Sequence, residues 1–301
     1  MKENIDVTPT FQSVNYEFRN IENISNDDLA TTWNSAFSDY IVPMNLTPKD
    51  IEDYLLVTGV DKSLSYGAFY QGVLVGLLLN SIDNFRGKKV AYDAMTGIVP
   101  EHRGKGLFSQ LFEYTRNSLK NSGIKQYYLE VITTNEKAYS IYKKKGGMVV
   151  REFVYLECSN SVSELKPYRN NLSLKTEVNV MPLSDYLLEM NVQNEISQYE
   201  PSIANRIIAL SRNINHFQIA FVEIEGQKIS VVFNQEGGIP QIKWNACNNS
   251  NILCFILKHI IQKYKKLRVS NIPITETNLI NELLNMGFKI LVNQYEMCIE
   301  F

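Results

Sequence analysis

A short turn with two glycines lies between a predicted strand and a predicted helix, at residues 99–108, Val-Pro-Glu-His-Arg-Gly-Lys-Gly-Leu-Phe. The apolar stretch at 90–99 is typical of a buried strand, and the proline after it suits a strand end because it has no N–H. The stretch after the turn has the periodicity of an amphipathic helix. We therefore expect Arg103, Gly104 and Gly106 in the first turn of that helix, where unpaired N–H groups and the helix dipole favour a phosphate group.

The composition is that of an ordinary globular protein, with 301 residues of which 45% are hydrophobic. The 30 basic and 32 acidic residues give a net charge of -2, so we expect neither nucleic acid nor a membrane surface as a partner. The polar N-terminus and the lack of a long apolar run predict a cytoplasmic protein. Four cysteines and three histidines do not have the spacing of metal ligands, so we expect no metal site.

The hydrophobic periodicity predicts a mixed α+β chain whose residues 1–157 form a first domain. The strands are expected at 16–19, 64–70, 73–81, 90–99, 126–133 and 148–157, and the helices at 25–37, from 47 onward, at 104–121 and at 135–146. The strand at 126–133 is expected to run parallel to the one before it. The strand at 148–157 is expected to close this domain.

The second part of the chain repeats this plan in weakened form. Residues 158–171 are rich in Ser and Asn, which is typical of a linker, and residues 172–301 then show a similar order of elements. The segment at 244–251, Trp-Asn-Ala-Cys-Asn-Asn-Ser-Asn, replaces the glycine turn and contains neither Arg nor Gly. Leu283 takes the place of Tyr142 and cannot donate a proton. We therefore expect the second domain to keep the fold and to lack the phosphate site.

The glycine turn is followed at a fixed distance by a helix that begins at an asparagine and ends at a glycine. The residues of this pattern are Arg103, Gly106, Phe108, Asn135, Ala138, Tyr142 and Gly146. Over residues 15–157, the pattern and the order of elements resemble the GNAT superfamily of acyl-CoA-dependent N-acyltransferases. The resemblance implies a central mixed, mostly antiparallel sheet flanked by helices, followed by a degenerate GNAT-like domain. Phe108 departs from the family's small residue, and Gly147 stands where the family usually has an aromatic one.

The resemblance also implies acetyl-CoA as the cosubstrate. Its pyrophosphate is expected on the N–H groups of residues 103–109, with Arg103 and Lys105 adding positive charge, and its pantetheine arm is expected along Ile98 and Val99. The expected cofactor-binding residues are Ile98, Val99, Arg103, Gly104, Lys105, Gly106, Leu107, Phe108, Ser109, Asn135 and Tyr142.

Acyl transfer to an amine requires an acceptor that has lost its extra proton and a leaving thiolate that receives one. Tyr142 matches the family's general acid. The base stays open between Asp93 and Glu130, which lie on the two strands expected to flank the thioester, because the sequence does not fix which side chains face inward. Phe37 and Tyr40 are the candidate acceptor-binding residues, since family members usually build the acceptor pocket between the first two helices.

The function that these residues predict is transfer of an acetyl group from acetyl-CoA to a primary amine by direct attack on the thioester. The acceptor is expected to be a small-molecule or peptide amine, and a homodimer is compatible with the sequence. The alternative is a protein that binds CoA or senses a small molecule without turnover. A protein-interaction module is a third hypothesis, for which the sequence offers no specific feature.

Overall fold

A computed structural model describes residues 15–39, 45–159, 177–191, 195–224, 226–244 and 250–301. The predicted acceptor contact of Tyr40, most of the predicted linker and the turn residues 245–249 lie outside these ranges. We call residues 15–159 the first half and residues 177–301 the second half.

The described residues form thirteen strands and eight α-helices. The strands are β1 (Glu17–Asn20), β2 (Tyr66–Tyr70), β3 (Val73–Phe85), β4 (Lys88–Ile98), β5 (Gln126–Ile132), β6 (Met148–Cys158), β7 (Asn179–Pro182), β8 (Phe217–Ile224), β9 (Gln227–Asn234), β10 (Gly238–Ile239), β11 (Gln241–Lys243), β12 (Leu267–Pro273) and β13 (Lys289–Glu300). The helices are α1 (Asn26–Ala36), α2 (Pro48–Thr58), α3 (Leu107–Asn121), α4 (Glu136–Lys144), α5 (Leu183–Glu189), α6 (Ile207–Leu210), α7 (Ser250–Ile261) and α8 (Thr277–Asn285).

Both halves follow the same order of elements. In the first half, a strand, two helices and three strands precede α3, β5, α4 and β6, and the second half ends in the same way with α7, β12, α8 and β13. The predicted α+β fold class is confirmed, and so is the parallel pairing of β4 with β5.

The closing strands of the two halves are exchanged. Nine strands form one sheet in the order β1-β2-β3-β4-β5-β13-β6-β12-β10, and the other four form a second sheet in the order β11-β9-β8-β7. The prediction that the strand at 148–157 closes its own domain is wrong, because β13 pairs with both β5 and β6 and separates them. Hydrophobic alternation identifies a strand, but it does not select the strand's partner from among distant segments.

The alternating side chains of β3 pack against two layers of helices. Leu77 and Leu79 lie in the apolar cluster formed with α1 and α2, whereas Val75 and Leu78 lie in the cluster formed with α3 and α4. The first half is therefore a sheet covered by helices on both faces, and its two faces offer separate approaches to β4 and β5.

None of the helices in the described ranges is both long and apolar enough to cross a membrane. In the same ranges, no group of three or more His, Cys, Asp or Glu side chains could hold a metal ion.

The parallel strands β4 and β5 separate after a short paired segment. Residues 90–92 pair with residues 126–128, but β4 continues to Ile98. The pairing of β4 with β3 is also interrupted at Ala94, where one extra residue forms a bulge, and a bulge bends a strand and changes the direction of its side chains. The structure therefore has an opening beside β4 that begins at Asp93.

Candidate active site

The glycine turn lies at one end of this opening. A single 3-10 turn, Pro100–His102, follows β4, and α3 begins at Leu107. Gly104 and Gly106 have φ angles of 74° and 73°, in the left-handed region that glycine adopts without the Cβ penalty. Gly106 is the N-cap of α3, so the prediction that Arg103 and both glycines lie within the first helical turn is wrong in that detail.

The start of α3 opens into a cavity of about 580 Å³. The N–H of Gln110 donates to the Gly106 carbonyl at 3.2 Å, and helix geometry leaves the N–H groups of residues 107–109 without a partner inside the helix. A Cβ built on Gly104 or Gly106 would meet no atom within 4 Å. N–H donors beside open space at a helix start suit an anion such as a pyrophosphate.

Most of the predicted cofactor residues line this cavity. They are Ile98, Arg103, Gly104, Gly106, Leu107, Phe108, Ser109, Asn135 and Tyr142, joined by the predicted acceptor residue Phe37. Two other predicted cofactor residues, Val99 and Lys105, direct their polar groups away from the cavity. The Val99 N–H donates to a β3 carbonyl at 3.0 Å, and the Lys105 ammonium donates to a carbonyl of the same turn at 2.8 Å. Thr96 and Lys137 also line the cavity, and no sequence pattern singled them out.

Arg103 fixes the turn and does not present its charge to the cradle. Its guanidinium forms a two-point ion pair with Asp39, at 2.7 and 3.0 Å, and its Nε donates to the Ile98 carbonyl at 2.8 Å. A further bond to the carbonyl of Ala36 ties the end of α1 to the turn. The hydrogen bond from Arg103 lowers the pKa of Asp39. The expectation that Arg103 supplies charge for the pyrophosphate therefore differs from the structure, in which that charge is already paired.

Tyr142 and Asp93 meet at the inner end of the cavity. The Tyr142 side chain is 7% exposed, and its hydroxyl donates to Oδ2 of Asp93 at 2.8 Å. Thr96 Oγ1 donates to the same carboxylate at 2.9 and 2.8 Å. Burial, followed by the charge of Asp93, raises the pKa of Tyr142, so this hydroxyl keeps its proton well into the alkaline range. The pair places a proton donor and a buried carboxylate beside the opening in the sheet.

The departure at Phe108 has a packing role. The Phe108 ring contacts Tyr142 edge-on with centroids 5.4 Å apart and stacks on Phe112 at 5.7 Å. Its side chain therefore packs against the apolar layer beneath α3, and a backbone N–H does not depend on the residue type. Asn135 caps α4 as predicted, because its side chain accepts from the Ala138 N–H at 3.1 Å. Together these contacts fix the orientation of Tyr142.

The same residues are covered by a match to a known family. The model of the acetyltransferase (GNAT) family matches residues 20–147. Residues 20–147 are therefore similar to this family. N-alpha-acetyltransferase 30 of Schizosaccharomyces pombe is 32% identical over 83 residues, which are 27% of this chain. The chain covers 55%, about half, of the length of that curated relative.

Solved structures of the GNAT family share the fold over nearly the whole chain. A GCN5-related N-acetyltransferase from Sphaerobacter thermophilus aligns with a TM-score of 0.62 and 11% identity, over 95% of each chain. A tandem GNAT protein from the clavulanic acid biosynthesis pathway aligns with a TM-score of 0.63 and 11% identity, over 95% of this chain and 98% of that one. At these identities the likeness concerns the fold, and it agrees with the repeated order of elements in the two halves.

The second departure, Gly147, is explained by the close packing around it. A Cβ on Gly147 would lie 2.8 Å from the carbonyl oxygen of Tyr142 and 3.0 Å from Cε of Met297. Met297 belongs to β13, which occupies the space beside β6. An aromatic side chain at 147 would collide with the backbone of α4 and with the inserted strand, so the glycine is required here.

The two candidate bases lie in different surroundings. Asp93 contacts Tyr142, whereas Glu130 Oε2 accepts a hydrogen bond from Nδ2 of Asn271, on β12 of the second half, at 2.7 Å. Burial raises the pKa of Asp93 to about 6, against the opposing effect of its hydrogen bonds. Burial, and then the charge of Glu296 on β13, raises the pKa of Glu130 to about 7. Sequence reasoning missed Asn271, and the only available signal was an asparagine in a strand-like apolar stretch, where this residue type is depleted.

A second cavity, of about 320 Å³, lies where the first half meets the second half. Tyr92 and Ala94 line it from β4, and Asn205, Arg268 and Ser270 line it from the second half. These two β4 residues flank Asp93, whose carboxylate contacts Tyr142 in the first cavity. The two cavities therefore reach the same part of β4, one beside the glycine turn and one from between the halves.

The raised pKa of Asp93 predicts how stability depends on pH. Its pKa of about 6 in the folded protein lies above the ordinary value of 3.8, so between these values the folded state binds more protons than the unfolded state. The free energy of unfolding must then fall as pH rises through this window, by about 3 kcal/mol at ~1.4 kcal/mol per pKa unit. We expect the free energy of unfolding of Asp93→Asn to decrease much less over this window, as measured by urea unfolding at a series of pH values from 4 to 8.

The control for this measurement is Asp27→Asn, at an exposed position in the first turn of α1. It should keep the pH dependence of the wild type. A curve for Asp93→Asn that is parallel to the wild-type curve would show that Asp93 is not the source of the effect.

Proposed function

We propose that this protein transfers the acetyl group of acetyl-CoA to a primary amine of a small molecule or peptide. Bound acetyl-CoA would supply a thioester, whose carbonyl carbon the amine nitrogen attacks as the C–S bond breaks. The proposal rests on the Tyr142–Asp93 pair, which stands at the inner end of a cavity that begins at the glycine turn. The match of residues 20–147 to the GNAT family model supports acetyl transfer as the class of reaction.

The cavity fits the proposed cosubstrate at its outer end. The N–H groups of residues 107–109 would bind the pyrophosphate, with Gly104 and Gly106 leaving the space above the backbone open. The backbone of Ile98 would pair with the pantetheine arm. In an antiparallel pair, the backbone N–H groups of successive residues point alternately to the two edges of the strand. The Val99 N–H points to β3, so the Ile98 N–H points to the opening.

Tyr142 would supply the proton that the leaving sulfur needs. Its raised pKa keeps the hydroxyl protonated, and the packing of Phe108 holds the ring in place. Asp93 accepts the hydrogen bond of that hydroxyl and holds it at the inner end of the cavity, and the hydroxyl's one proton would turn from Asp93 to the sulfur as the C–S bond breaks. General acid catalysis of this kind contributes about 100-fold or more to a rate.

The acceptor amine would approach from the cavity between the halves. That cavity borders Tyr92 and Ala94 of β4, next to the opening, and part of its wall comes from the second half. Phe37, which was expected to contact the acceptor, lies instead in the cavity proposed for acetyl-CoA. The second half would therefore complete the acceptor site without binding a CoA of its own.

Release of free thiol from acetyl-CoA tests the proposal. The assay offers spermidine, lysine, an aminoglycoside and a short peptide with a free N-terminus as acceptors. Wild-type protein should release thiol with at least one acceptor, and Gly106→Val should weaken CoA binding about tenfold or more in calorimetry. Valine at 106 would place a branched side chain in the cradle and at a positive φ.

Gly123→Val is the matched control for the cradle variant. Gly123 also has a positive φ and open space at its Cβ position, but it lies at the other end of α3. It should bind CoA as the wild type does. Binding of CoA without thiol release from any acceptor would favour the sensing protein over the enzyme, and equal CoA affinity in Gly106→Val would contradict the cradle.

A further inference from the structure

A contact between the two halves lies beside the second cavity. Nδ2 of Asn271 donates to Glu130 Oε2 at 2.7 Å and contacts Ser202 Oγ at 3.1 Å. Glu130 is on β5 and Asn271 on β12, with β13 and β6 between them in the sheet. Three strand spacings amount to roughly 14 Å in a flat sheet. The sheet must therefore curl to bring these side chains together, and they meet inside its concave face.

The backbone of Asn271 is held in an unusual conformation. Its φ is 55°, in the left-handed region, although it lies within a strand, and it is 6% exposed. The residue sits in a bulge of β12, where the register with β6 shifts between Val269 and Ile272. Bulges re-aim side chains, and a non-glycine residue at positive φ inside a sheet often marks a functional position. Here the bulge directs the Asn271 amide at Glu130.

Two oxygen atoms of this pair are buried and unsatisfied. Glu130 Oε1 and Asn271 Oδ1 have no well-formed hydrogen bond among the described residues, and the nearby hydroxyls of Ser202 and Tyr92 lower the pKa of Glu130. Buried acceptors are normally satisfied, because leaving one without a donor is unfavourable. Two such oxygens, one on each member of a bonded pair, suit a ligand that brings several N–H donors, and a protonated primary amine has three.

The charges around the pair also favour a cationic group. Glu130 forms no ion pair with any described residue. Its neighbour Glu296, directly opposite on β13, is paired with Arg151 at 2.6 and 2.8 Å, so Arg151 is not available to Glu130. Glu130 and Asn271 lie behind the wall of the second cavity, which is lined by Tyr92 beside Glu130 and by Ser270 next to Asn271 in the chain.

We infer that Glu130 Oε1 and Asn271 Oδ1 bind the amino group of the acceptor and that Glu130 takes its proton. This inference rests on the proposed function. One N–H bond of the ammonium breaks, the proton goes to Glu130 Oε1, and the electron pair stays on the nitrogen as the nucleophile. The ammonium loses two protons in becoming an amide and the leaving thiolate gains one, so one proton is released overall. Glu130 is then the base, Asp93 positions Tyr142, and the second half provides half of the amine site.

Asn271→Gly tests the inference with little risk to the fold. Glycine adopts a positive φ without penalty, so the bulge is retained while the amide is lost. Each amine of the panel is titrated into wild-type protein and variant by calorimetry, and KM is measured for every amine that releases thiol. We expect amine affinity to fall about tenfold or more and the acceptor KM to rise equally, with the KM of acetyl-CoA unchanged.

Asn191→Gly provides the matched control, because Asn191 also has a positive φ, is exposed and lies just after α5. It should bind amines as the wild type does. Equal amine affinity in wild type and Asn271→Gly, or no binding of any amine to wild type, would overturn the inference. Amine binding that depends on Asn271 without thiol release would contradict the proposed enzyme and leave the site standing. Thiol release with the same acceptor KM in both proteins would contradict the amine site and leave the proposed enzyme standing.

Discussion

A fragment that ends at residue 159 is expected to lose its stable fold and its affinity for CoA. The neighbour of β5 beyond β4 is β13, and the two neighbours of β6 are β13 and β12, all from the second half. Without the second half, β6 has no partner strand, and the apolar layer beneath α3 loses Met297 and Ile299, which are fully buried. Circular dichroism, size-exclusion chromatography and calorimetry with CoA would measure the loss against the full chain.

Co-expression with a second fragment, residues 177–301, provides the control. This fragment supplies β12 and β13, so the pair should assemble and recover CoA binding. Cooperative unfolding and full CoA affinity in the first fragment alone would contradict the expectation. That result would also support the prediction that residues 1–157 form a domain by themselves, which the exchanged strands leave open.

Tyr142→Phe is expected to lower kcat about 100-fold or more, with little change in the KM of acetyl-CoA. The substitution removes the hydroxyl that donates to Asp93 and would protonate the leaving sulfur, and it keeps the ring that packs on Phe108. The measurement is steady-state thiol release with the best acceptor, together with calorimetric binding of CoA to show that the cavity is intact.

Tyr139→Phe is the matched control on the same helix. Its ring packs against Tyr295, and Tyr139 does not line the acetyl-CoA cavity. It should keep the wild-type kcat. If Tyr142→Phe turned over at the wild-type rate, Tyr142 would not be the acid, and the packing of its ring would be its whole role.

The local parts of the site could be predicted from the sequence because they depend on neighbouring residues. Positive φ angles at Gly104 and Gly106 and the Asn135 cap follow from residue type and position within a turn or helix start. Arg103 was assigned to the phosphates because it is cationic and adjacent to them. Its actual partner, Asp39, is 64 residues away, and no periodic pattern links the two.

The non-local parts could not be predicted for a related reason. A strand pattern shows which residues alternate, but the neighbours of β6 are chosen among all exposed edges of the folding chain. The faces of Asp93 and Glu130 depend in addition on the bulge at Ala94 and on the curl of the sheet. Asn271 acquires its role only when β12 lies beside β6, so its sequence context carries almost no information about that role.

The exchanged strands also set the timing of folding during synthesis. Gln126 at the start of β5 pairs with Glu300, 174 residues later. At roughly 5–20 residues per second, a ribosome needs on the order of ten to thirty seconds to make that interval. Throughout it, β5 has emerged with an open apolar edge, and such edges recruit strands from other chains. The nascent first half therefore keeps this open edge until β13 has been made.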